Sequence, residues 1–223
     1  MPVVIIPLLT SLIVGLAMYL LLGAPLAAIM EGLQNWLSSM SGSSAVLLGI
    51  ILGLMMCFDL GGPVNKAAYL FATAGLSTGD ESSMQIMAAV MASGMVAPIA
   101  LSLATFIRKS LFTPAEQENG KSAWLLGLSF VSEGAIPFAA ADPFRVIPSM
   151  MAGGAVTGAI SMALSVGSRA PHGGVFVFFA IDPFWGYLVA IAAGVVVSTA
   201  AVLAMKQFWP NKAVEEAAQN VAA

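Results

Sequence analysis

Charge is what this 223-residue chain has least of. Lysine, arginine, aspartate and glutamate make up 9% of it, against 59% hydrophobic residues, where a soluble domain carries about 25% charged residues. The shortfall is too large to assign to one buried core, so most of the surface faces lipid. The few charges sum to −3 and form no basic stripe, which argues against a nucleic-acid partner. Cysteine and histidine occur once each. Cys57 cannot pair within the chain and has no second cysteine or neighbouring histidine for a metal site. It reads as a packed, unreactive thiol, and neither metal nor cofactor is expected. The opening residues lack a basic leader and a small-residue cleavage site, so a removable signal peptide is not expected.

A helix needs about 20 mainly apolar residues to cross roughly 30 Å of hydrocarbon. Residues 3–24, 84–107 and 184–205 meet that length, and residues 148–166 form a slightly short, charge-free fourth stretch. In the fourth, Gly153, Gly154 and Gly158 permit close approach of a neighbouring helix. Residues 25–41 carry Glu31, Gln34 and Trp36 among apolar neighbours, which suits a helix lying in the headgroup region.

Two other apolar stretches are each broken near the middle. The first runs over residues 45–58, breaks at 59–66 (Asp-Leu-Gly-Gly-Pro-Val-Asn-Lys) and resumes to 74. The second runs over 123–132, breaks at 133–137 (Glu-Gly-Ala-Ile-Pro) and resumes to 141. Non-helical backbone at membrane depth must be buried in protein or line an aqueous cavity, and paired interrupted elements mark binding sites in transporters. Residues 108–121, with Arg108, Lys109 and Lys121, read as the one clearly soluble loop, and Lys206 and Lys212 mark the tail. Lysine and arginine bias places both on the cytoplasmic side. A single crossing by the second broken stretch would put them on opposite sides, so that stretch is expected to enter and return. Arg145 then falls inside as well, Gly79-Asp80-Glu81-Ser82 becomes an external acidic turn, and the first broken stretch enters from outside.

Asp59, Asn65 and Lys66 sit in the first break, where a lone charge at mid-membrane costs about 2.5–3.5 kcal/mol. Either Asp59 and Lys66 pair to close the turn, or Asn65 and one or both charges meet a solute's hydroxyls. Glu133 stands alone between two apolar arms with no cation near it in sequence. A carboxylate accepts from two adjacent hydroxyls and reads a diol well; the plainer role is a protonated or capping glutamate that fixes the turn. Asp142 and Asp182 each precede a proline at the head of an apolar helix, the pattern of an N-terminal cap, and Arg145 is close enough to pair with Asp142. Residues 168–174 (Ser-Arg-Ala-Pro-His-Gly-Gly) form a last break. A lone histidine is commonly a satisfied structural donor, yet His172, beside Arg169 and two glycines, is also a candidate for the solute path. No glycine-rich loop has the lysine spacing of a nucleotide cradle.

The runs Cys57-Phe58-Asp59-Leu60-Gly61-Gly62-Pro63-Val64-Asn65-Lys66-Ala67-Ala68 and Ser132-Glu133-Gly134-Ala135-Ile136-Pro137-Phe138, with residues 139–154 and 168–174, resemble the IIC domain of fructose-family sugar phosphotransferase permeases. The likeness covers residues 48–205. It implies an all-α, multi-pass bundle in a bacterial cytoplasmic membrane with two re-entrant hairpins near residues 45–78 and 122–142. The membrane domain would span residues 1–205, and 206–223 would form a cytoplasmic tail. It further implies a homodimeric permease that holds a fructose-like hexose for phosphorylation by separate IIB and IIA domains. Glu133 matches the acidic position of the family's second-hairpin motif, a sugar ligand, and Asn65 with its neighbours matches the first. Family IIC domains are longer at the N-terminus by several spans, so the chain resembles the C-terminal portion of one. It has no phosphoryl-accepting residue of its own. An ion- or proton-coupled transporter using Glu133 and His172 as a proton relay is the alternative, and a structural membrane piece that has lost transport is a third reading.

Overall fold

The computed structural model describes residues 2–17, 19, 20, 24, 28, 32, 45–76 and 79–209. The chain divides into two compact units, Met1–Ser39 and Met40–Ala223. In the first, helix α1 (Pro2–Ala17) occupies most of the expected first span. The headgroup helix expected at 25–41, isolated positions apart, lies outside the described residues, as does the tail beyond Trp209.

Among its described residues the second unit is helical apart from turns and one tiny ribbon. Its helices are α2 (Ala45–Phe58), α3 (Pro63–Leu76), α4 (Glu81–Ile107), α5 (Pro114–Leu128), α6 (Ile136–Ala141), α7 (Pro143–Ala163) and α8 (Phe184–Phe208). Strands β1 (Gly167–Ser168) and β2 (Ile181–Asp182) pair antiparallel between α7 and α8. With 27, 21 and 25 residues, α4, α7 and α8 are long and apolar enough to cross a bilayer, so the fold is that of an all-α membrane protein. Sequence fixes the helix starts. Asp80 caps α4 by accepting from the Ser83 amide at 2.7 Å. At α5, Thr113 and Glu116 form a reciprocal capping box with Pro114 in the first turn.

Helix α4 is buried along nearly its whole length, from Ile86 to Thr105, and is the axis of the unit. Helix α7 lies between α2 and α8 through its small residues. A Cβ at Gly53 would strike the Gly154 carbonyl, one at Gly49 the Gly158 carbonyl, and one at Gly153 the Gly194 carbonyl. The close approach expected of Gly153, Gly154 and Gly158 is therefore made on two sides. Hydroxyls bridge the helices. Thr157 Oγ1 donates to the Ala190 carbonyl at 3.1 Å and Ser93 Oγ to that of Gly154 at 3.3 Å. Cys57 is completely buried, its thiol against the Ser93 carbonyl.

Arg108, Glu116, Asp142 and Lys206 gather at one end. Lys206 Nζ lies 2.9 Å from Glu116 and 3.2 Å from Asp142, Asp142 pairs with Arg145 at 2.9 Å, and Arg108 donates to Gln207. The end of α4, the start of α5, the α6–α7 junction and the end of α8 thus meet. The chain from α5 through α6 leaves this end and returns to it, so its two arms form a hairpin. Helix α2 runs antiparallel to α7, with Gly49 opposite Gly158 and Gly53 opposite Gly154, so the α2–α3 hairpin enters from the other end.

Three expectations are corrected here. Of residues 108–121 only 108–113 form a connecting loop: the capping box starts α5 at Pro114, and Lys206 neutralises Glu116, only 2% exposed. Helix α8 continues through residue 208, and Lys206 is buried rather than the start of a tail. The two aspartates do not cap as expected. Asp142 stands at the N-cap position of α7, but its carboxylate is held by the Arg145 and Lys206 side chains rather than by the helix amides, and Asp182 belongs to β2, one residue before the cap of α8, Pro183.

Candidate functional site

The two hairpin tips point at each other. In the first, Asp59 Oδ2 accepts from the Val64 amide at 2.7 Å and Oδ1 from the Asn65 amide at 3.0 Å. Its carboxylate therefore closes the start of α3, and the Asp59–Lys66 ion pair considered from sequence is not formed. Those amides are orphan donors at a helix start, and they capture the carboxylate. Lys66 is left to reach across, and its Nζ meets Glu133 Oε1 at 3.0 Å. Gly61, with φ +115°, lies beneath the same glutamate, and a Cβ there would come within 2.8 Å of the Glu133 carboxyl. Only glycine suits both its backbone and the approach of the second tip.

The second tip is anchored from below. After α5 the chain turns through Phe130, at φ 64°, into a 3-10 turn, Ser132–Ala135. Ser132 Oγ donates to the Gly94 carbonyl of α4 at 2.8 Å, which fixes Glu133 over the central helix. The loop from β1 arrives alongside, with Gly174 packed against the Leu128 carbonyl, and brings His172 beside Phe130 at a ring separation of 5.0 Å.

Between the tips lies a cavity of about 380 Å³ lined by Asn65, Lys66, Tyr69, Phe130, Val131, Ser132, Glu133 and His172, within the size range of small-molecule pockets. Four of the six residues expected from sequence therefore come together: Glu133, Lys66, Asn65 and His172. Asp59 supports the first tip from behind, and Arg169 lines a different cavity. Asn65 is buried, with Nδ2 donating to the Met56 carbonyl at 2.8 Å, which leaves its side-chain oxygen to offer a ligand. Sequence reasoning missed Tyr69, Phe130 and Ser132. The available signal was position: Tyr69 is three residues beyond Lys66, on the same helical face, and Phe130 and Ser132 stand just before the second break.

Tyr69, Phe130 and His172 form an aromatic wall, with Tyr69 and Phe130 centroids 6.0 Å apart and Tyr69 edge-on to His172 at 6.4 Å. The same cavity carries the ion pair, its side chains about half exposed. Glu133 lies outside the three long apolar helices. Partial burial raises its carboxyl, but its backbone hydrogen bond, Lys66 and the charge of His172 outweigh that and hold it below the ordinary value. It is thus ionised at neutral pH and only accepts. One apolar face, one acceptor and one cationic donor suit a neutral ring compound with several hydroxyls.

A family profile described as "Phosphotransferase system, EIIC" matches residues 2–153. The chain belongs to that family. It is 56% identical over 92% of its length to the "PTS system fructose-specific EIIB'BC component" of Escherichia coli (strain K12), of which it covers 37%. It is 46% identical over 99% of its length to the "PTS system fructose-specific EIIC component" of Haloferax volcanii, covering 57% of that protein. With the "Fructose permease IIC component" of Bacillus amyloliquefaciens it shares 45% identity over 91% of its length and 65% of the relative's. The chain thus spans little more than a third of the fused relative from Escherichia coli. No solved structure matches it. Both hairpin tips lie within residues 2–153, so the family match covers Lys66 and Glu133; His172 lies beyond it.

Proposed function

We propose that this chain is the sugar-translocating IIC part of a fructose-type phosphotransferase permease. It binds a ketohexose between the two hairpin tips and presents it to a phosphoryl-carrying IIB domain, itself charged by IIA. The observation that carries the reading is the Lys66–Glu133 contact beside a cavity with an aromatic wall. Glu133 accepts from adjacent sugar hydroxyls, Lys66 donates to a third, and the apolar ring face packs against Phe130 and Tyr69. Lysine and arginine bias supports a cytoplasmic position for the Glu116–Lys206 end in a bacterial cell, with the hairpin bearing Glu133 entering from the side where the IIB domain waits. The protein works in the cytoplasmic membrane and as a homodimer in the complete permease.

Replacing Glu133 by Gln tests this directly. Hydrogen bonds to a charged group are worth about 1.5–3 kcal/mol, so fructose affinity in an equilibrium titration is expected to fall about 10- to 100-fold. The thermal unfolding midpoint should hold. Unchanged affinity overturns the site, and uptake of unphosphorylated sugar driven by a proton gradient overturns the phosphotransferase coupling.

A further inference from the structure

The end of the unit opposite the Glu116–Lys206 network holds a second cavity, of about 180 Å³. Glu81, Met84 and Gln85 from the start of α4 line it together with Arg169 and Asp182 from the segments around the ribbon. The backbone behind these groups is tied down. Gly167 pairs with Asp182 across the ribbon, and the Arg169 amide donates to the Ala180 carbonyl at 2.9 Å. Ser168 Oγ closes the adjoining turn by bonding the amide and carbonyl of Ala170 at 3.2 and 2.9 Å.

The charges are nevertheless not spent on each other. Glu81, Arg169 and Asp182 are exposed to water and, among the described residues, take part in no ion pair, whereas the buried charges at the opposite end are all paired. A cation and two anions are held around one space without neutralising one another. A metal ion there meets Arg169, an anion meets two carboxylates, and an apolar solute would displace water from all three without replacing its hydrogen bonds. A neutral molecule carrying several hydroxyls satisfies both signs, donating to the carboxylates and accepting from the guanidinium fork. The loop that supplies Arg169 continues three residues to His172, which lines the central cavity.

We propose that this cavity is a second, weaker site for a neutral polyhydroxylated solute, occupied before the solute reaches the hairpin tips. The identity of that solute as a sugar rests on the proposed function above. The loop from Arg169 to His172 then forms one wall of the path between the two sites.

Ser165 also lines this cavity and is exposed, and the native thiol of Cys57 is completely buried. Ser165→Cys in the full chain therefore gives a reporter confined to this site. Its alkylation by a polar maleimide is followed with increasing fructose, in the otherwise native chain, with Glu133→Gln, and with Arg169→Ala. At fructose tenfold above half-protection, simple mass action slows labelling by roughly tenfold. That slowing is expected to persist with Glu133→Gln and to vanish with Arg169→Ala. Labelling unaffected by fructose, or protection that vanishes with Glu133→Gln, overturns the second site; so does equal protection by sodium phosphate. Equilibrium titration of the Ser165→Cys chain keeps the two ideas apart. Central binding without protection sinks only this inference, and protection without central binding sinks only the proposed function.

Discussion

Lys66 and Glu133 are each about half exposed, and an ion pair in that setting contributes about 0–1 kcal/mol to stability. Lys66→Ala should accordingly leave the unfolding midpoint almost unchanged while weakening fructose binding by about tenfold, the loss of one hydrogen bond from a charged donor. A large drop in midpoint with normal affinity would make the pair a mere clasp. The pH profile adds a second readout. The Glu133 carboxyl is held below its ordinary value of 4.5, so the tip contact is complete above that value and lost only as pH falls through the lower one. Removing Lys66 takes away its hydrogen bond and its charge, and the acid limb of fructose binding should move to higher pH. Sequence exposed these residues as costly polar groups but not their partners. Lys66 and Asp59 are neighbours in the chain, yet Asp59 is claimed by the amides of Val64 and Asn65. The partner Lys66 takes instead is 67 residues away, beyond the reach of any spacing rule.

At the scale of elements, the hairpins and the glycine face of α7 carry the fold. Gly49 and Gly53 of α2 meet Gly158 and Gly154 of α7 so closely that an added Cβ would collide with backbone rather than with a flexible side chain. Gly53→Val is therefore expected to destabilise by about 1–3 kcal/mol or more through overpacking, read as a lowered unfolding midpoint in detergent. A shift of under a degree would mean that α2 and α7 can separate freely. The glycines of α7 were legible because they lie in an uninterrupted apolar run, where glycine has no turn to serve. The first arm of the second hairpin was only half legible. Its initial turns carry Glu116, Glu118 and Lys121, and polarity there resembles a loop until Lys206, far along the chain, is known to neutralise Glu116.

For the second unit as a whole, the hairpin tips and the hairpin base are built differently. The tips meet through a half-exposed pair, easily exchanged for ligand, while the hairpin base is locked by Glu116, Asp142, Arg145 and Lys206, each less than 10% exposed. Lys206 is the hub: it serves both carboxylates and lies 4.5 Å from the centre of the Phe112 ring. Replacing it with Met keeps most of the volume but leaves Glu116 without its cation and Asp142 with Arg145 alone. Breaking a buried pair in this way costs about 3–5 kcal/mol because an uncompensated charge remains inside. Lys206→Met should thus lower the unfolding midpoint far more than Lys66→Ala does. Adding Glu116→Gln to Lys206→Met removes one stranded charge, so the double variant should recover part of the loss. That non-additivity separates a true charge network from simple packing around residue 206. Purely additive losses would show that the base is held by apolar contacts and that the four charges only occupy it. Recovery would show instead that the Glu116–Lys206 end is a fixed anchor, against which the second hairpin can part from the first at its tip without leaving the bundle.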